Sequence, residues 1–377
     1  MTWIFWLSVG VVAYTLAGYP TLLWIVSRFR RQAHRQASIL PSVSIIVVAY
    51  NAQYNVEGRI RNLLEIDYPK DKIEIIAGSD GSTDETANVI RSFEGAGVKL
   101  VESRERKGKH HIQMLAREVA RGEILVFTDA SIRTEAGVIR RMVSHFADPQ
   151  IGAVCSVDVV GEPRKGWKGE HFYVYGEMGL RRLEAHIGSL VSLSGALFGV
   201  RREICEGWHP DMSSDFFLAL HTVEHGYRAI LDPECQAHLG FVKSQKAELT
   251  RKVRTIVHGL VVFFSHLNLL NPFRYGLFAW QLASHKLFRW LLPFPVMMVL
   301  ISNAFLWKQG LIYQISLIAQ LLGYSMGLAS YFDQRLARQT LFKLAHFFVL
   351  GNMATLVAWW KFIQGDKIVL WEPSQRS

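Results

Sequence analysis

The stretch Gly122-Glu123-Ile124-Leu125-Val126-Phe127-Thr128-Asp129-Ala130-Ser131 is a short apolar run that ends on an acid. A run of Ile, Leu, Val and Phe of this length predicts a strand buried on both faces, and such strands occur mainly in parallel α/β sheets. Ligands of open α/β sheets bind at the carboxyl ends of the strands, which is where Asp129 stands. The alternative is a solvated turn after a strand, and this stretch alone does not separate the two.

Three earlier runs also read as strands, at about residues 41–51, 73–77 and 99–102. The stretches between these strands have apolar residues at helical spacing. This alternation of strands and helices predicts βαβ units and a mostly parallel sheet. Asp80 then stands at the end of the second strand as Asp129 stands at the end of the fourth. After Asp80, the pair Ser82 and Glu85 predicts a capping box and a helix that begins near Thr83.

A basic cluster, Arg104-Glu105-Arg106-Lys107-Gly108-Lys109-His110-His111, precedes the next predicted helix. Backbone amides at the start of a helix, together with lysine charge, are suited to binding phosphate. A charged run of this kind is also typical of a merely solvated face, so the cluster alone leaves both interpretations open.

The ends of the chain are unusually apolar. Of the 377 residues, 50% are hydrophobic, and residues 1–27 hold an uncharged run long enough for a bilayer core, which needs about 20 residues. The linker 28–40 that follows is basic (Arg28, Arg30, Arg31 and Arg35). The positive-inside rule then predicts a cytoplasmic domain at 41–250.

Downstream, we expect interfacial amphipathic helices at 251–285, three transmembrane helices within 286–363 (287–306, 311–332 and 344–363) and a tail at 364–377. The net charge of +10 lies largely beside these segments, so membrane lipids are the expected partner and nucleic acid is not. Cys155, Cys205 and Cys235 have no metal-ligand spacing, which predicts free, partly buried thiols. Such a chain fits a multi-pass protein of the bacterial inner membrane.

Four motifs carry a family resemblance. Val47-Val48-Ala49-Tyr50-Asn51, Ser79-Asp80-Gly81-Ser82-Thr83-Asp84, Arg106-Lys107-Gly108-Lys109 and Phe127-Thr128-Asp129-Ala130-Ser131 resemble, in order and spacing, the successive signatures of family 2 glycosyltransferases. The resemblance implies the α/β, Rossmann-like GT-A fold and inverting transfer from a UDP- or GDP-linked sugar. It also implies a divalent cation, Mg²⁺ or Mn²⁺, at Asp129.

Further roles follow from the same resemblance. Asp80 matches an acid that contacts the base or ribose, and Ser131 stands where most relatives carry a second acid, so we expect weak metal binding, with Lys109 sharing the phosphate charge. Ser194 and Gly195 lie in the segment that closes beneath the sugar, and Asp215 matches the catalytic base. The residues expected to contact the donor are Ala49, Asn51, Asp80, Lys109, Asp129, Ser131, Arg251 and Arg254.

The remaining assignments have alternatives. Arg251 and Arg254 occupy the place of a Gln-x-x-Arg-Trp motif but lack its Gln and Trp; they either clamp the leaving diphosphate or anchor a helix to anionic lipid. Glu177 and Trp208 are candidate acceptor-side residues. The expected acceptor is a lipid-linked or membrane-bound saccharide in envelope glycan, exopolysaccharide or glycolipid synthesis. A processive, exporting synthase and a degenerate membrane scaffold are the alternatives.

Overall fold

The computed structural model describes residues 1–160, 168–240, 245–333, 335–336 and 339–366. Residues 367–377 of the expected tail lie outside this part of the chain.

The fold consists of one mixed sheet, helices on both of its faces and a set of long apolar helices. The strands are β1 Val43–Ala49, β2 Ile73–Asp80, β3 Val98–Ser103, β4 Ile124–Asp129, β5 Ile132–Arg133, β6 Ile151–Val160, β7 Leu197–Arg201 and β8 Arg228–Leu239. The helices are α1 Thr2–Ala13, α2 Tyr19–Phe29, α3 Gln53–Leu64, α4 Thr86–Arg91, α5 Lys109–Val119, α6 Val138–Ser144, α7 Lys168–Ile187, α8 Ser214–Glu224, α9 Gln245–Ser265, α10 Pro272–Tyr275, α11 Leu277–Leu282, α12 Phe288–Leu291, α13 Pro293–Leu306, α14 Leu311–Phe332 and α15 Thr340–Ile363.

The sheet order is β3-β2-β1-β4-β7-β6-β8-β5. Strands β1 to β4 are mutually parallel, as the sequence predicts. The second half is mixed, because β7 runs antiparallel to both β4 and β6. In register, Val48 pairs with Asp129 on one side and with Gly78 on the other, so the ends of β1, β2 and β4 share one edge.

The core lies on both faces of the sheet. All seven residues of β1 are buried, which confirms the reading of such runs as strands covered on both sides. One face packs against α5 and α8, and the other against α3, α4 and α6. At Gly78 an added Cβ would lie 2.2 Å from Cγ2 of Ile112, so only glycine lets α5 pack this closely on β2.

The predicted capping box after β2 is wrong. Helix α4 begins at Thr86, and the side chain that accepts from the Thr86 amide is Asp84, at 3.0 Å. Ser82 does not cap because its hydroxyl accepts from the backbone N–H of Asn51, at 3.2 Å. The loop before α4 is thus tied to the end of β1.

Within the described ranges, three helices are long and apolar enough to cross a membrane: Thr2–Phe29, Leu311–Phe332 and Thr340–Ile363. The first is continuous through a π-helical turn at Tyr14–Gly18. A fourth candidate is a pair, Leu277–Leu291 and Pro293–Gln309, bent by 51°. The expected unbroken span 287–306 is therefore a bent element, because Pro293 interrupts the helix.

Candidate active site

The paired side chains of Lys109 and Asp129 mark the shared strand edge. Lys109 is the first residue of α5, and its Nζ donates to Oδ1 of Asp129 at 2.5 Å. The lysine side chain is 14% exposed and the aspartate side chain 29%, so the pair opens to solvent on one side. The structure thus brings together two of the predicted donor-site residues, and Ser131 lies exposed just beyond them.

Asp80 is fully buried and supports the loop that precedes Lys109. Its carboxylate accepts from the amide of Lys107 at 2.8 Å and from that of Gly108 at 2.9 and 3.1 Å. Gly81 has φ +61°, and an added Cβ there would lie 2.5 Å from the amide nitrogen of Arg106. Asp80 therefore positions Lys109 through the backbone. Its expected contact with the nucleotide stays a prediction.

Asn51 and Ala49 border the same edge. The Asn51 side chain accepts from the Thr83 amide at 2.9 Å, and Asn51 adopts a left-handed backbone with φ +43°. Ala49, the last residue of β1, is buried. Both residues shape the loops at the strand ends, and their contact with a donor remains an expectation.

Arg59 is a buried cation that lies beneath Asp129 and that the sequence did not predict. The Arg59 guanidinium donates to Thr128 at 2.8 Å and to Asn62 at 2.6 Å. Burial lowers the pKa of Arg59 to about 10, and the negative charge of Asp129 opposes that fall. The available signal was a basic residue on the apolar face of α3, between Val56 and Ile60.

Asp215 lies in the first turn of α8, and the segment before β7 connects it to Asp129. The Asp215 carbonyl accepts from the amide of Leu193, while the amide of Asp129 donates to the carbonyl of Ala196 at 3.2 Å. A Cβ on Gly195 would stand 3.4 Å from Oδ2 of Asp215. The N-cap of α8 is Ser213, so Asp215 is not the capping residue of this helix.

Asp158, on β6, adds a further acid that the sequence reading missed. The hydroxyl of Ser194 donates to Oδ1 of Asp158. Burial alone would lower the pKa of Arg181. The carboxylates of Glu177, Asp158 and Asp215 outweigh burial and raise that pKa above its ordinary value. Arg181 on α7 therefore stays charged close to Asp215. The available signal was an acid within an otherwise apolar strand.

Glu177 lies at the junction between α7 and the apolar helices. It accepts from His285 at 3.1 Å, from Arg289 at 2.9 Å and from Arg181 at 3.4 Å. Burial opposes ionisation, but the charges of His285, Arg289 and Arg181 hold the pKa of Glu177 well below its usual range. Glu177 therefore holds three basic side chains together, and its acceptor-side role stays a prediction.

The two candidate arginines downstream both lie on α9, one turn apart. Burial lowers the pKa of His110 well below its ordinary value, with smaller contributions from His258, Lys109 and Arg254. The charge of Arg254 is thus near His110, the residue that follows Lys109. The contact of either arginine with a donor or with lipid stays a prediction. Trp208 is buried and donates to the Met212 carbonyl at 3.0 Å, and its expected contact with an acceptor stays a prediction.

Asp129 is the residue best suited to a divalent cation. Among the described residues, no group of three or more His, Cys, Asp and Glu side chains is placed to hold a metal ion. Mg²⁺ commonly takes one or two carboxylates plus substrate phosphates, rather than a cage made by the protein alone. The partly exposed carboxylate of Asp129, with Ser131 two residues on, fits a cation shared with a diphosphate.

Residues 44–208 match the model of the glycosyl transferase family 2. This part of the chain is therefore a domain of the glycosyl transferase family 2 type. The matched range contains Asp80, Lys109 and Asp129, and the fold of this glycosyltransferase is GT-A with flanking apolar helices.

The glycosyltransferase is 24% identical over 225 residues to the beta-monoglucosyldiacylglycerol synthase of Trichormus variabilis. This match covers 56% of this chain and 47% of that protein. The chain is also 29% identical over 126 residues to the glycosyltransferase AglE of Haloferax volcanii. This match covers 33% of this chain and 40% of AglE. Each match thus spans less than half of the relative's own length.

A solved structure resembles nearly the whole chain. The mannosyltransferase PcManGT of Pyrobaculum calidifontis, in complex with GDP-mannose and Mn²⁺, matches with a TM-score of 0.74 and 24% identity. The match covers 96% of this chain and 99% of that chain. The likeness therefore extends from the GT-A domain to the apolar helices at both ends.

Proposed function

We propose that this family 2 glycosyltransferase is a multi-pass protein of the bacterial inner membrane. It moves one sugar, with inversion, from a UDP- or GDP-linked donor to a lipid-linked or other membrane-bound acceptor. The observation that carries the proposal is the convergence of Lys109, Asp129 and Asp215 around the segment 193–196. Cations beside an accessible carboxylate are what displacement of a nucleoside diphosphate requires.

In the proposed reaction, the acceptor hydroxyl attacks the anomeric carbon and the bond from that carbon to the diphosphate oxygen breaks. Asp215 takes the hydroxyl proton as the new bond forms, which makes it the general base. Lys109 donates to the leaving diphosphate, and Asp80 holds the loop that presents it. Asp129 would hold a divalent cation, which would supply additional positive charge to the diphosphate.

The membrane side of the proposal rests on the apolar helices and on their link to the catalytic domain. Tyr19, within the first apolar helix, donates to Glu184 of α7 at 2.7 Å. Arg228 of β8 donates to the carbonyl of Gln32 in the linker, at 3.1 Å. The basic residues after the first helix favour a cytoplasmic domain. The similar glycolipid synthase and the Mn²⁺-bound mannosyltransferase support a lipid acceptor and a divalent cation.

The test is a screen of UDP- and GDP-sugars against the purified full chain in lipid nanodiscs, scored by released nucleotide. We expect one donor class to be consumed, with release abolished by Asp129→Ala and reduced by chelation of divalent cations. Product length then separates single addition from polymerisation. A chain that releases no nucleotide from any donor, with or without Mg²⁺ or Mn²⁺, contradicts the proposal.

A further inference from the structure

Three cationic side chains lie between Asp215 and the apolar helices, and the reaction proposed above does not use them. They are Arg181 of α7 and, one turn apart on the helix Leu277–Leu291, Lys286 and Arg289. The Nζ atom of Lys286 lies 5.1 Å from the ring centre of Phe216, the residue after Asp215. The group therefore adjoins the catalytic base on its membrane side.

The hydrogen-bond donors of this group outnumber the acceptors around them. Lys286 Nζ and Arg181 Nη2 both donate to one oxygen, Oγ of Ser192, at 3.1 and 3.4 Å. The Nη1 atom of Arg181 is buried and has no hydrogen-bond partner among the described residues. Buried donors nearly always have an acceptor. An acceptor-rich group next to Ser192 would satisfy both side chains.

The charges of the group are unevenly compensated. Glu177 forms ion pairs with Arg181, Arg289 and His285, and Glu184 pairs with His285. No carboxylate of the described residues lies within ion-pair distance of Lys286, whose contacts are Ser192 and the face of Phe216. As a whole residue, Lys286 is partly exposed.

We propose, on the basis of the proposed function, that Lys286 and Arg181, supported by Arg289, bind a phosphate ester in the headgroup of the lipid acceptor. Arginine forks and a lysine point charge are the side chains that proteins use for phosphate. Lys286 and Arg289 lie on a helix that belongs to the bent membrane pair, so a headgroup reaches them from the bilayer. The bound phosphate holds the acceptor beside Asp215.

The test uses a matched pair of probes, a long-chain prenyl phosphate and the prenol of the same chain length. Binding to the full chain in nanodiscs is measured without donor, so its outcome is independent of transfer. We expect the phosphate to bind at least tenfold more tightly than the alcohol. We also expect Lys286→Gln to remove most of that difference and Lys286→Arg to keep it. Lys361→Gln is the control, because Lys361 forms an exposed ion pair with Asp366.

Two further measurements keep the outcomes distinct. Thermal unfolding of Lys286→Gln should match that of the unchanged protein, which shows that the variant is folded, and the control Lys361→Gln should keep the donor hydrolysis of the unchanged protein. Inorganic phosphate at millimolar concentration should compete weakly, since it lacks the lipid chain. Equal binding of the two prenyl probes, or phosphate binding that survives Lys286→Gln, overturns the inference. Donor hydrolysis then still reports separately on the proposed function.

Discussion

Asp80→Asn should loosen the loop that presents Lys109 without changing the exposed surface. The buried carboxylate accepts three hydrogen-bond contacts from the amides of Lys107 and Gly108. An amide side chain keeps one accepting oxygen and turns an N–H group toward those donors. Hydrogen bonds to a charged group contribute about 1.5–3 kcal/mol each. Losing one such bond at about 2 kcal/mol raises the opening equilibrium of the loop roughly 30-fold.

The assay is amide hydrogen exchange at Lys107 and Gly108, combined with limited trypsin cleavage of the basic loop, both without donor. Exchange and cleavage should accelerate by about the 30-fold worked from the lost bond. Asp67→Asn is the matched control, because Asp67 forms an exposed pair with Arg140 and should leave the loop protected. If the loop amides stay as protected in Asp80→Asn as in the unchanged protein, Asp80 does not hold the loop. Contact with the nucleotide would then be the remaining role for Asp80.

Three further outcomes follow from the structure. Lys109→Met should weaken donor binding about 10- to 100-fold by calorimetry, since a charge-assisted bond to the diphosphate is lost, and an unchanged affinity would place the phosphates away from Asp129. His110 has a pKa well below the unfolded value, chiefly through burial. The neutral, buried His110 therefore stabilises the fold fully above about pH 6.5, and this stabilisation is lost as the pH falls. His110→Gln should flatten the decline of Tm between pH 7 and 5. Parallel Tm curves for the variant and the unchanged protein would refute this. Gly78→Ala should lower the free energy of unfolding by about 1–3 kcal/mol, because the added Cβ clashes with Ile112. Denaturant titration measures this loss. Adding Ile112→Ala in a double variant should relieve the clash.

The sequence was most informative where local pattern and chain order determine position. Apolar runs that end on a polar turn predicted β1, β2 and β4, and the rule that parallel strands end at one edge brought Lys109 close to Asp129. The same reasoning failed at Ser82, because its hydroxyl bonds to Asn51, a partner 31 residues away that no local motif specifies.

The residues that sequence reasoning missed lie on elements whose neighbours are set by topology. Arg59 projects beneath Asp129 only because α3 packs on the face that β4 also covers. Asp158 reaches Ser194 because β6 pairs with the antiparallel strand β7. Lys286 approaches Phe216 only because the bent apolar helix folds back onto α8. None of these contacts follows from spacing along the chain.

The measurement that tests the account most directly is the comparison of donor binding and sugar transfer in Asp215→Asn. Asp215 is partly exposed, and its carboxylate lies beside Gly195 in the segment that also contacts Asp129. Removing a general base costs roughly 10²- to 10⁴-fold in rate. Transfer should therefore fall by that factor while donor affinity changes less than threefold, and Glu206→Gln, at an exposed site, should change neither. Transfer that persists in Asp215→Asn, or donor binding that is lost with it, would contradict the assignment of Asp215 as the base.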